Sequence, residues 1–87
     1  MKYRIELTPA AHRDFKGLPR EILRRIDSYL LALAEDPLPT GSKKLAAGKE
    51  QLFRIRVGDY RIVYTVEHHR LVVLVIRIGH RREVYRG

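Results

Sequence analysis

Polar and apolar residues alternate strictly from residue 2 to residue 7, with Tyr3, Ile5 and Leu7 on one side and Lys2, Arg4 and Glu6 on the other. A two-residue period of this kind predicts a strand with one buried face. Thr8-Pro9 then supplies an N-cap and a first helical residue, and "PAAHRDFK" forms a short helix that stops at Gly17. From Pro19 the spacing changes to three and four residues, with Leu18, Ile22, Ile26, Leu30 and Leu33 in one stripe and Arg20, Glu21, Arg24, Arg25 and Asp27 facing away. That is an amphipathic helix. It ends near Asp36-Pro37, because the residue before a proline is pushed out of the helical region.

Residues 36–50 are rich in Pro, Gly and Ser, lack any period, and read as a loop carrying Lys43, Lys44 and Lys49. Three strands follow, near 51–57, 60–67 and 71–79, the last apolar almost throughout. Such a run suits a strand covered on both faces. The order β-α-α-β-β-β predicts an α+β fold in one domain, residues 1–87, with two N-terminal helices packed on an antiparallel sheet.

The stretch "LFRIRVGDYRIVY" predicts the hairpin in detail. A two-residue Gly58-Asp59 loop, with glycine supplying a positive φ, pairs Val57 with Tyr60, Arg56 with Arg61, Ile55 with Ile62, Arg54 with Val63 and Phe53 with Tyr64. One face is then wholly apolar and the other carries Arg54, Arg56 and Arg61. A slip of one residue would bury arginines, so the register is well determined. Like charges directly opposed cost a few tenths of a kcal/mol. An anion bound between them would relieve that repulsion. Arg77 joins this face or its opposite according to the length of the "EHHR" turn.

Composition narrows the class of partner. The chain has 87 residues, is 45% hydrophobic, and carries 18 Lys and Arg against 10 Asp and Glu, a net charge of +8. One core fits that length. A polyanionic partner fits that charge. From Arg54 onward every basic residue other than histidine is an arginine, the side chain whose planar fork matches phosphate oxygens. Cysteine is absent, which excludes disulfides and thiolate chemistry. No apolar leader opens the sequence, and its longest apolar run, residues 71–76, is too short to span a bilayer. A cytoplasmic protein with no membrane association is expected.

The tail "GHRREVYRG" adds Arg81, Arg82, Tyr85 and Arg86 just beyond the last strand. Clustered cations favour a phenolate, so Tyr85 is suited to deprotonate a hydroxyl, to stack on a base, or both. His80 adjoins this cationic tail and is the proton-donor candidate. His68 and His69 fall in a turn and are expected to be solvated. No set of residues has metal-ligand spacing, so any catalysis is expected to need no metal or other cofactor.

The span "LFRIRVGDYRIVY…LVVLVIRIGHRREVY", and with it the order of elements along the chain, resembles the RelE family of bacterial toxin endoribonucleases within the RelE/ParE superfamily. The resemblance implies a toxin of a type II toxin–antitoxin system that cleaves mRNA in the ribosomal A site, and an acidic RelB-like antitoxin as partner. The family chemistry is attack of a 2′-hydroxyl on the adjacent phosphate, giving a 2′,3′-cyclic phosphate and a 5′-hydroxyl. By the same resemblance Arg54 and Arg56 stand where the family has two lysines, and Arg61, Arg81 and Tyr85 match its remaining catalytic residues. Arg81 and Arg82 both fit the post-strand arginine. Arg77, Arg82, Lys43, Lys44 and Lys49 are the expected RNA contacts. A ParE-like inhibitor of DNA gyrase is the alternative on the same fold, and a non-catalytic binding module is a third.

Overall fold

The computed structural model describes residues 2–45 and 51–80. The elements are β1 (Arg4–Leu7), α1 (Pro9–Lys16), α2 (Arg20–Glu35), β2 (Lys43–Leu45), β3 (Leu52–Val57), β4 (Tyr60–Glu67) and β5 (Val72–His80). They form one five-stranded sheet in the order β1-β5-β4-β3-β2. Two helices on a mostly antiparallel sheet is the α+β architecture that the periodicities predict. No described helix is long and apolar enough to cross a membrane.

Two details depart from the expected sheet. β1 runs parallel to β5, with Arg4 opposite Val72 and Leu7 opposite Val75, so the sheet is mixed. The two helices carry the chain from β1 to β2 at the opposite edge and β3 and β4 lead back to β5, so the connection has the length that a parallel pair requires. β2 is the strand that the loop reading does not contain. Its three residues have no period of their own, and pairing with β3 is what makes them a strand: Lys43 faces Arg54 and Leu45 faces Leu52. A short lysine-bearing strand also suits an exposed edge, where charge discourages pairing with another chain.

Each helix forms for a local reason. Thr8 sits in the extended region at φ −65°, ψ 162°, and its hydroxyl accepts the Ala11 N–H, with Pro9 in the first turn of α1. α2 has no side-chain cap at Pro19. Its stability rests on the apolar stripe, of which Ile26 and Leu33 are fully buried. Complete burial of such a side chain contributes about 1.5–3 kcal/mol, more than a cap supplies. These residues meet Ile55, Val57, Ile62, Tyr64, Val73, Val75 and Ile78 from one face of the sheet.

The hairpin forms in the predicted register, from Phe53 opposite Tyr64 to Val57 opposite Tyr60. Gly58 has φ 63°, the left-handed conformation that the tight turn demands. The Tyr64 ring is fully buried, and its hydroxyl donates to the Pro37 carbonyl at 2.8 Å. Burial pushes the Tyr64 phenol above its ordinary 10.0; a hydrogen bond with Ser42 works against this and the nearby Asp36 carboxylate adds to it.

β4 and β5 are in register from Tyr60–His80 to Val63–Arg77, then shift so that Tyr64 faces Val75. Ile76 is the extra residue of a β-bulge, which reverses the alternation of side chains along the strand. Val73 and Val75 lie in the core on one side of the bulge and Ile78 on the other. Uninterrupted alternation would have sent Arg77 into that core with Val73 and Val75. The bulge sends Ile78 there instead.

Candidate nucleic-acid interface

Residues paired across strands share a face, so the register builds the site directly. One row runs Lys43–Arg54–Val63–Arg77 across β2, β3, β4 and β5. The next runs Arg56–Arg61–Gly79. The sheet thus gathers five basic residues on the side away from the helices. They come from four strands, and the bulge is what brings Arg77 among them.

These cations are not equally open. Arg56 and Lys43 are exposed, whereas Arg54 is 8% and Arg61 5% exposed, and Val63 beside them is buried too. Neither buried arginine is free of partners. The repulsion between Arg56 and Arg61 is worth a few tenths of a kcal/mol, but withdrawing a guanidinium from water costs several kcal/mol before any compensation. Burial is therefore the dominant cost at these positions. Chemically, the face offers planar donors and positive charge to a phosphodiester.

The remaining candidates separate. Lys44 lies opposite Phe53 and so belongs to the helix side of the sheet. His80 lies opposite Tyr60, with ring centroids 5.9 Å apart at 76°, also on the helix side. It lines a cavity of about 510 Å³ with Arg13, Asp14, Leu18, Tyr60 and Ile78. The structure therefore does not bring His80 together with the arginine face. His68 and His69 are exposed in the β4–β5 turn, although the Tyr3 hydroxyl lies 2.9 Å from His68 Nδ1. Lys49, Arg81, Arg82 and Tyr85 lie outside the described residues.

One residue important to this end of the sheet did not stand out in the sequence. Asp14 Oδ2 accepts the Arg77 Nε–H at 2.7 Å and the Ile78 backbone N–H at 3.0 Å. The available signal was its position three residues after Ala11, on the side of α1 that packs against the sheet. A carboxylate placed there requires a donor from the sheet.

Comparison with known proteins agrees with this architecture. The model of the ParE toxin of type II toxin–antitoxin systems (parDE) matches residues 5–85. The toxin RelG of Mycobacterium tuberculosis is 32% identical over 87 residues, covering 99% of both chains. The toxin–antitoxin complex RelBE2 of the same organism contains a chain with TM-score 0.82 and 29% identity, over 93% of this chain and all of that one. A chain of the archaeal RelE–RelB complex from Pyrococcus horikoshii matches with TM-score 0.80 and 28% identity, over 93% of this chain and 97% of that one. With the family model spanning nearly all of the sequence and relatives matched along their full length, the chain belongs to the RelE/ParE family of toxins from type II toxin–antitoxin systems.

Proposed function

We propose that this toxin is an endoribonuclease that cleaves mRNA in the ribosomal A site. The observation that carries the proposal is the cationic face itself, where Arg56 and Arg61 stand directly opposed with Arg54 and Lys43 in the adjacent row. A DNA- or protein-binding surface would not need guanidinium groups held at 8% and 5% exposure. A phosphoryl-transfer site does, because fixed charge in a desolvated setting stabilises a dianionic phosphorane far more than charge in water.

In this reading the substrate 2′-hydroxyl loses its proton to Tyr85 and attacks the adjacent phosphorus. The bond from phosphorus to the 5′-oxygen breaks, Arg81 neutralises that leaving oxygen, and water protonates it. The products are a 2′,3′-cyclic phosphate and a 5′-hydroxyl. Arg54, Arg56 and Arg61 carry the charge of the intermediate. Arg82 and Lys43 bind flanking phosphates. An acidic RelB-like antitoxin is the proposed partner, consistent with a net charge of +8 and with relatives found in RelE–RelB complexes.

The test is purified protein on programmed ribosomes and on free mRNA. Ribosome-stimulated cuts, lost in Arg61→Ala and Tyr85→Phe with the fold retained, are expected. No stimulated cleavage by the wild type would overturn the proposal. A second reading, inhibition of DNA gyrase, draws on the ParE description of the matching family model. Blocked supercoiling with intact translation would select it.

A further inference from the structure

We propose that the cavity between the α1–α2 turn and the ends of β4 and β5 is a nucleobase subsite, which takes an unstacked base of the RNA strand whose phosphate lies on the arginine face. The inference extends the endoribonuclease reading above, from which it takes RNA as the ligand.

The cavity begins at the last row of the sheet. Val57, Tyr60 and His80 lie side by side on the helix side, next to the row of Arg56, Arg61 and Gly79 on the other. At this end no strand flanks β5 on its outer side, because β1 stops at Leu7 opposite Val75. The Arg77 side chain shows how short the way round that edge is. It starts on the arginine face, and its Nε reaches Asp14 Oδ2, in the cavity wall, at 2.7 Å. Gly79 belongs to the arginine row and also lines the cavity. Having no side chain, it raises no wall between the two.

The lining suits a base. Leu18 and Ile78 contribute apolar surface. Tyr60 and His80 are half-buried, with ring centroids 5.9 Å apart and planes at 76°, so a flat ligand parallel to one ring stands nearly edge-on to the other. Both stacked and edge-to-face arrangements of rings are favourable. Single-stranded RNA is recognised in this way, by unstacked bases laid against aromatic side chains. The volume of about 510 Å³ falls within the range of about 300–1,000 Å³ found for small-ligand sites.

Charge points to the same ligand. Asp14 lines the cavity, but its carboxylate is engaged by the Arg77 guanidinium and the Ile78 N–H and its side chain is 18% exposed. Its charge is therefore answered within the protein. Arg13 also lines the cavity; it is exposed, and its guanidinium has no ion-pair or hydrogen-bond partner among the described residues. Lys2, Arg4, Arg70 and Arg77 each sit against a carboxylate, so the chain does pair exposed cations elsewhere. An unengaged guanidinium beside two rings fits a ligand that brings its own phosphate. A nucleotide uses the cation and the rings together, whereas an acidic protein segment needs only the cation.

The experiment titrates the isotope-labelled protein with an RNA pentamer that is 2′-O-methylated at its central nucleotide and so cannot be cleaved there, and with three more that each lack one of the three middle bases. Affinity and the amide shifts of Tyr60, Ile78 and Gly79 are read for the wild type, Tyr60→Leu, Tyr60→Phe and Arg13→Ala. The intact pentamer is expected to shift those amides, and one abasic pentamer to bind about tenfold more weakly. Tyr60→Leu is expected to lose about the same factor and to abolish the abasic penalty, with Tyr60→Phe within about twofold of the wild type. Arg13→Ala should weaken binding of every pentamer and reduce the salt slope by about one. Equal affinity of the wild type for all four pentamers, a comparison that needs no variant to fold, would overturn the subsite. An abasic penalty unchanged in Tyr60→Leu would do the same. So would an acidic peptide shifting these amides where RNA does not, which would assign the cavity to a protein partner. Because no arm requires cleavage, a wild type that binds as expected yet makes no cut on programmed ribosomes would overturn the endoribonuclease reading alone.

Discussion

The hydroxyl of Thr8 joins the start of α1 to the bulge in β5: it accepts the Ala11 N–H at 3.1 Å and donates to the Ile76 carbonyl at 2.9 Å, across 68 residues of sequence. A single side chain therefore caps a helix and satisfies the carbonyl of the bulge residue. The alternation of β5 is reversed at that point, and with it the face on which Arg77 and His80 lie.

Thr8→Val should remove both bonds while keeping the shape of the side chain. Loss of an N-cap costs about 1 kcal/mol, and about 4–8 °C of melting temperature accompanies each kcal/mol in a domain of this size. Thr8→Ser should restore most of the stability. Thermal melts of the three proteins check this, and a Thr8→Val protein as stable as wild type would contradict the double role.

Arg56 and Arg61 should separate activity from stability. Arg56 is exposed, so Arg56→Ala is expected to change stability by no more than about 0.5 kcal/mol. Arg61, at 5% exposure, tolerates an apolar replacement such as Met better than a truncation. Arg61→Met is expected to remain folded and to lose roughly 10²–10³-fold in kcat. Circular dichroism and single-turnover cleavage together decide the matter, and wild-type cleavage by Arg61→Met would exclude the residue from the reaction.

Tyr64 gives the fold a limit at alkaline pH. Its phenol is raised above 10.0 in the folded chain, so near pH 10 an unfolded chain releases a proton that the folded chain retains. Stability should be insensitive to this group below that pH and decline as pH rises above it, until the folded phenol ionises as well. Tyr64→Phe should cost about 1 kcal/mol at pH 8, through loss of the bond to the Pro37 carbonyl, and should flatten the alkaline slope. Urea unfolding at pH 8 to 11 measures both effects.

Gly58→Ala tests the hairpin turn. At φ 63° an L-residue is strained by about 1–2 kcal/mol. The added Cβ would lie 3.4 Å from Arg25 Nη1, the mobile end of a long side chain, so backbone strain is the larger effect. Asn, which visits this region more readily, should cost less than Ala. Equal stability of all three proteins would show that the turn relaxes elsewhere.

The hairpin was legible because its information is local. Five cross-strand pairs followed from a two-residue turn and a two-residue period, and the three strand arginines of the candidate site came with them. The helices were legible too: α1 begins at Pro9 after the Thr8 cap, and α2 ends at Glu35 before Asp36-Pro37. β2 was not, since its strand character comes from Leu52–Arg54 across the pair. The side of Arg77 stayed open in the sequence and the side of His80 could not be assigned, because counting along β5 fails at an unannounced bulge.

Periodicity, turn chemistry and charge, all properties of neighbouring residues, were enough to specify one buried face and one arginine face. The parallel placement of β1, the bulge at Ile76 and the Asp14 contact with β5 depend on groups tens of residues apart meeting at one sheet edge, and the burial of Arg54 and Arg61 on β3 and β4 likewise exists only in the folded chain. Those contacts exist only once the core has closed, because the unpaired carbonyl and amide groups of β5 acquire their partners from α1 when the helix packs against the sheet.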